Sequence, residues 1–401
     1  MNPAIAQVSG SLIRDLHGRR RPTSINLGIG EPTLLPDARY FERATAWTAQ
    51  HGCRYSTNIG DHDLRAAIAV HYAYPHLAHA DNVCITCGSQ EAVYITLRTL
   101  VDPACEEVLV VEPAFPVYVK IAQAEGLPLR RLDLDARAAD AFHADAILEA
   151  IGPRTRLVVL CSPSNPTGRV ISRATVARIS AELLARGGPP VYILHDQIYR
   201  ELVYVDDVGE FADVYPYTVT VNSLSKSNAL PGLRLGWLSA PKDVMPNIVK
   251  MHGWVTSCAS SFAQRVALEI FAARALSEHR AWYTAQRAGV LSALRETALE
   301  FIEPEGAFYV CVRVGGVDTL AFAEALLEER DVVAIPGDVF APSLAGWLRT
   351  SYVGSLPDVV EGLQRIAAFA RAQRNGRSAV DRPVNRKRAD SRLTGKQPPA
   401  P

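Results

Sequence analysis

The residues able to do chemistry in this chain gather around one lysine. The stretch 220–237, TVNSLSKSNALPGLRLGW, sets Ser223, Ser225, Lys226 and Arg234 between two apolar, β-branched runs. An amine that must condense with a carbonyl needs delivery from a fixed turn and a depressed pKa, and a neighbouring cation can depress it. Taken alone, Lys226 reads as a surface lysine. Its company changes that reading, because two hydroxyls and a guanidinium form a cradle for a phosphate dianion. A second anion contact comes from TCGSQEA at 86–92, where Gly88 separates an apolar run from a helical pattern. The backbone N–H groups of Ser89 and Gln90 can then point at an anion from a helix N-terminus.

Two more segments add polar groups that could face the same cleft. SPSNPTG at 162–168 follows the run RLVVLC and holds Asn165 at the carboxyl end of a strand, the edge at which open α/β sheets bind ligands. VYILHDQIYREL at 191–202 closes an apolar run with Asp196 and places Tyr199 three residues on. Each piece has an ordinary reading as well: a strand-to-helix turn, a helix-capping aspartate, a core aromatic.

The elements that must position these groups are visible as a repeated order of short β-branched run, turn and amphipathic stretch. Strands are expected at 83–86, 107–111, 156–161, 191–195, 218–222 and 235–239, with a helix at 89–100. This is the pattern of an α/β domain whose mostly parallel central sheet is covered by helices. After about residue 277 the pattern becomes a long helical stretch, a strand at 307–312, and helices at 319–329 and 357–371, the signature of a smaller α+β domain. The expected division is an N-terminal segment, 1–39, packing with the small domain; a large domain, 40–280, carrying the ligand site; a small C-terminal domain, 281–374; and a basic, Pro-containing tail, 375–401, expected to be disordered.

In this order the segments resemble the class I/II aminotransferases, pyridoxal-phosphate enzymes of fold type I related to aspartate aminotransferase, over about 26–371. NLGIGEP at 26–32, RYSTNIGDHDLRAAIA at 54–69, VEPAFPVY at 111–118 and WLRTSYVG at 347–354 extend the match. The resemblance implies pyridoxal 5'-phosphate as cofactor and Lys226 as the residue that carries it as a Schiff base and then moves the substrate proton. By the same resemblance Asp196 pairs with the pyridine nitrogen, Asn165 and Tyr199 hydrogen-bond the cofactor's 3'-oxygen, and Phe115 lies over the ring. The phosphate cup is Gly88, Ser89, Gln90, Ser223, Ser225 and Arg234, with Tyr55 reaching in from a neighbouring subunit, which implies a homodimer with shared sites. Arg349 and Asn165 face the substrate carboxylate, and Gly30 lets the N-terminal segment close over it. Gln197 stands where Glu is more usual in the family. No counterpart appears for the second arginine that aspartate aminotransferases use on a distal carboxylate, so a dicarboxylate preference finds no support at this level.

Composition narrows the class without naming a substrate. The 401 residues are 48% hydrophobic, enough for a large core, and 42 Lys and Arg balance 42 Asp and Glu, so charge argues for neither nucleic acid nor lipid as partner. The N-terminus lacks a basic start followed by an apolar core, and no apolar run reaches bilayer length. Seven scattered cysteines are expected to be reduced thiols in a cytoplasmic enzyme. Cys84 and Cys87 form a CxxC, but on an apolar segment and without a second pair at zinc spacing; no metal is expected.

The leading expectation is an aminotransferase acting on an amino acid and a 2-oxo acid. The alternative is a pyridoxal-phosphate lyase or cyclase of specialised amino-acid metabolism, because LPGLR and VEPAFPVY also resemble 1-aminocyclopropane-1-carboxylate synthases and capreomycidine-synthase-like enzymes. A ligand-responsive regulator with a fused DNA-binding domain is disfavoured, since about 25 residues precede NLGIGEP and the lysine is retained.

Overall fold

The computed structural model describes residues 3–316 and 318–374. The basic tail, 375–401, with the disorder expected of it, therefore lies outside the described residues.

A seven-stranded sheet organises the larger part of the chain. Its strands run Val83–Thr86, Gly236–Ser239, Thr218–Ser223, Tyr192–Asp196, Thr155–Cys161, Glu107–Glu112 and Leu129–Asp133 across the sheet. Six run parallel; Gly236–Ser239 runs against both of its neighbours. Runs such as Val108–Val111 and Leu157–Cys161 are buried throughout, as parallel strands must be when helices cover both faces. The expected strands are all present within two residues, and the helix Ser89–Leu100 has its expected ends. The strand Leu129–Asp133 is an addition. It lies at the sheet edge with Arg130 and Arg131 exposed, and an edge strand carrying charge has no apolar signature.

Beyond residue 280 the chain forms the helices Arg280–Arg295, Thr319–Arg330 and Leu356–Arg374 against a four-stranded antiparallel sheet. That sheet is ordered Ile335–Pro336, Trp347–Ser351, Tyr309–Arg313, Phe301–Ile302. The N-terminal segment is tied to this region: Ile25–Asn26 pairs in parallel with Val332–Val333, and Arg19 reaches Glu324 at 2.6 Å. Its first helix, Pro3–Gln7, lies on the helix Val117–Ala124 of the large sheet. One apolar cluster runs continuously from the large sheet (Val110, Val159, Leu194) to the small one (Val310, Val312, Leu348). The cleft between them is thus floored by a shared core.

No described helix is long and apolar enough to cross a membrane. Cys84 is buried within its strand, and burial pushes its thiol up to about 12. Among the described residues no group of three or more His, Cys, Asp or Glu is disposed to hold a metal ion.

Candidate active site

The cleft, about 520 Å³, opens at the carboxyl ends of the parallel strands. Lys226 reaches it from the single helical turn Leu224–Ser227, which follows directly on the strand Thr218–Ser223. Its Nζ donates to the carbonyl oxygen of Gly30 at 2.6 Å. Burial, and then the charges of Arg349 and Arg234, lower its pKa to about 8, with Glu31 opposing. The amine is therefore far more often neutral than a surface lysine at the same pH.

Asp196 ends the strand Tyr192–Asp196 and is buried. Its Oδ2 accepts from the Tyr118 hydroxyl at 2.6 Å and its Oδ1 from the Ile198 N–H at 3.1 Å. Burial pulls its pKa up to about 6 against those two bonds. Among the described residues it has no cationic partner. A buried carboxylate with spare acceptor capacity is costly unless something supplies a donor.

One end of the cleft is built for an anion. Gly88, at φ +85°, caps the helix Ser89–Leu100, and this left-handed conformation suits glycine. A Cβ there would collide with the Arg234 guanidinium, and one at Gly236 would sit 2.6 Å from the Ser89 nitrogen. Both positions must stay bare for Ser89, Gln90 and Arg234 to line the same space as Ser225. Arg234 is itself at φ +53°, an unfavourable backbone state for arginine held at a site.

Arg349 lies in the strand Trp347–Ser351 and is 2% exposed. Its Nη1 donates to Asn165 Oδ1 at 3.0 Å, and its Nη2 to the Gly28 carbonyl. The guanidinium also lies 4.4 Å from the centre of the Tyr309 ring. Its buried Nε has no partner among the described residues.

These features join on one family. The sequence model of aminotransferases of class I and II matches residues 22–366. The chain belongs to that family. This aminotransferase is 30% identical, over 96% of its length and 99% of the relative's, to a probable N-acetyl-LL-diaminopimelate aminotransferase of Bacillus subtilis. It is 32% identical to an aspartate aminotransferase of Pyrococcus horikoshii, over 90% of this chain and 94% of that one. Among solved structures it is similar to the aspartate aminotransferase of Thermotoga maritima, with a TM-score of 0.85 and 26% identity over 92% of this chain and 100% of that one. The aspartate aminotransferase-like α/β fold and the aminotransferase activity expected from the sequence both stand. None of these relatives bears the name of a lyase or cyclase.

Of the residues singled out from the sequence of the aminotransferase, Gly30, Ser89, Gln90, Phe115, Asn165, Asp196, Tyr199, Ser225, Lys226, Arg234 and Arg349 line the cleft together. Three do not. Gly88 shapes the turn from behind. The Ser223 hydroxyl accepts from the Ser225 N–H at 3.2 Å, capping the turn that carries Lys226. Tyr55, expected to serve the site of a neighbouring subunit, is 90% exposed on its own chain and is not among the residues lining this cleft. Gln197 accepts from the Tyr74 hydroxyl at 3.0 Å and donates to Glu210, a buried network outside the cleft.

Sequence reasoning passed over two tyrosines. Tyr118 lies in the first turn of the helix Val117–Ala124, and no local pattern marks it as a partner of Asp196. Tyr309 shares a hydroxyl–hydroxyl bond of 3.1 Å with Tyr199; in sequence it is one more aromatic in an apolar strand.

Proposed function

We propose that the cleft binds pyridoxal 5'-phosphate through Lys226, and that the enzyme passes the α-amino group of an amino acid to a 2-oxo acid. The observation that carries this reading is a half-buried, easily neutralised lysine in the same cleft as a buried carboxylate that lacks a cation, the cleft's two ends being cationic.

The residues fit the cofactor group by group. Ser225, Arg234 and the first N–H groups of the helix Ser89–Leu100 suit a phosphate dianion. Asp196 would hold a protonated ring nitrogen, the donor its free lone pairs lack. Asn165 and the Tyr199 hydroxyl would donate to a phenolate, and Phe115 would cover a ring face. When bound, the cofactor supplies an aldehyde carbon that condenses with amines and a ring that withdraws electrons from bonds at the substrate's Cα.

The protein's own work follows from these positions. Lys226 Nζ, neutral in a large fraction near pH 8, would be the nucleophile toward the carbonyl carbon, with loss of water, and, once the substrate's own amine has displaced it from that carbon, the base that takes the proton from the substrate Cα. Arg349 grips the α-carboxylate with its planar fork and so fixes which bond at Cα faces Lys226. Tyr118 holds the Asp196 carboxylate in place. Tyr309 holds the Tyr199 hydroxyl. The N-terminal segment through Gly30 and Glu31 roofs the cleft and limits water.

We further infer a cytoplasmic homodimer in which Tyr55 serves the partner's phosphate site. Two large exposed aromatics, Tyr55 and Trp254, support an interface, and seven unpaired cysteines suit a reducing compartment.

A single-turnover scan tests the reaction type: enzyme loaded with cofactor is mixed with each common amino acid and no 2-oxo acid. One equivalent of oxo acid per site, with no further product, is the expected result. Product that keeps accumulating without an amino acceptor would replace the transferase with a lyase or cyclase.

A further inference from the structure

Tyr309 meets three parts of the cleft at once. It begins the strand Tyr309–Arg313, is 2% exposed and lines the cleft. Its hydroxyl lies 3.1 Å from that of Tyr199, and the two rings stand edge to face, at 81° with 5.8 Å between centres. The Arg349 guanidinium covers the Tyr309 ring at 4.4 Å. On the roof side, a Cβ at Gly30 would collide with the Tyr309 hydroxyl, so a bare glycine is what lets the roof settle there. Among the described residues neither hydroxyl has a hydrogen-bond partner other than the other one.

Two hydroxyls that share one bond must divide its roles, and the donor commits its only proton. Tyr199 needs its own proton for the 3'-oxygen of the proposed cofactor. The surroundings select Tyr309 as the donor. Burial raises the proton affinity of both hydroxyls and carries Tyr199 well above the ordinary tyrosine range, whereas at Tyr309 the charge of Arg349 is the first force opposing it. A cation over a phenol ring favours loss of that phenol's proton, so Tyr309 is the more acidic of the pair and the Tyr199 oxygen the better acceptor. A hydroxyl that accepts one bond donates a stronger one, because hydrogen bonds in a chain polarise one another.

Resting on the proposed cofactor, we infer that Tyr309 is a positioning residue for the reaction: it donates to the Tyr199 oxygen, turns the Tyr199 proton toward the 3'-oxygen and strengthens that bond. A donor at the 3'-oxygen stabilises the negative charge there, and so lowers the pH at which the neighbouring nitrogen contributed by Lys226 gives up its proton. Tyr309 helps to set that pH by acting through Tyr199.

The test is a spectrophotometric pH titration of the cofactor-loaded enzyme, which reads the change of colour that accompanies loss of this proton and needs no turnover. Tyr309→Phe keeps the ring, its place under Arg349 and its packing on Tyr199, and removes only the hydroxyl. Its midpoint should lie roughly half a pH unit above that of the wild type, the size of one modest hydrogen bond, and that of Tyr199→Phe should lie higher still. Because Tyr309 acts through Tyr199, the double variant should titrate with Tyr199→Phe alone. A Tyr309→Phe midpoint equal to that of the wild type, or below it, overturns the inference, and so does a double variant whose shift is the sum of the two single ones. Should the loaded wild type show no visible band that titrates, the cofactor reading itself fails; a wild type that titrates beside an unmoved Tyr309→Phe removes only the role of Tyr309.

Discussion

Lys226 Nζ and the Gly30 carbonyl oxygen lie 2.6 Å apart, joining residues separated by 196 positions. The bond links the reactive amine to the roof of its own cleft, and it is one a lysine engaged with a carbonyl carbon no longer makes in the same form. It gives the lysine a definite direction before any ligand arrives.

Replacing Lys226 by Met should abolish the visible absorbance that cofactor gives with the wild-type protein. It should also stabilise the cofactor-free chain. The folded-state pKa is about 8 against an ordinary 10.5, so below pH 8 the native state carries a buried charge it disfavours, by on the order of 3 kcal/mol. That penalty fades as pH rises from about 8 to 10.5, where the native amine has lost its proton and the unfolded one has not. Urea melts of both proteins at pH 7 and pH 10.5 measure it: the gain for Met should be large at the first pH and small at the second.

Asp196→Asn removes the carboxylate that a protonated ring nitrogen needs. The amino-acid half-reaction should slow by roughly 100-fold or more, measured by stopped-flow absorbance. In the wild type, cofactor affinity should weaken as pH falls through about 6, where the free carboxyl takes up its proton. Tyr118→Phe removes a bond that lowers this pKa, so the midpoint should move upward. An unmoved midpoint would assign the transition to another group.

Arg349→Lys keeps the charge and loses the fork. We expect kcat/KM for α-amino acids to fall by roughly 2–5 kcal/mol, the usual cost of breaking a buried charge pair. The loss should be much smaller for amines without a carboxylate. Equal losses for both would remove Arg349 from carboxylate binding.

The exposed Tyr55 makes the dimer testable by complementation. Tyr55→Ala should raise the Kd for cofactor and Lys226→Ala should be inactive; mixed after denaturation, the two should regain activity through sites that combine one intact Tyr55 with one intact Lys226. A monomer in sedimentation, or no recovery on mixing, would contradict shared sites.

Much of this cleft was readable because its residues sit where strands end. Asp196 closes an apolar run, Asn165 follows one, and Ser89 begins a helix after a glycine, so position along the element announces position at the sheet edge. Lys226 was readable from its neighbours within one segment. Ser223 shows the limit: a hydroxyl near a reactive lysine serves equally as a helix cap or an anion ligand, and here it accepts from the Ser225 N–H. Arg14, on the helix Leu12–Gly18 and lining the cleft, shows another. Its place in the cleft depends on Ile25–Asn26 pairing with Val332–Val333, a contact between the two ends of the chain that no local pattern encodes. The strand Leu129–Asp133 stayed hidden because its arginines face water at the sheet edge.

That same pairing of the chain's ends has a consequence for how the enzyme is made. Gly30 comes from the beginning of the chain, Lys226 from the middle and Arg349 from near the end, and the strand that carries Arg349 binds the N-terminal segment through Ser351 and Leu27. During synthesis Ile25–Leu27 must wait for their strand partners until the last strand has left the ribosome. A truncated or stalled chain can complete its large sheet and still have no roof over the lysine, so catalytic competence arrives late in synthesis, with the final strand.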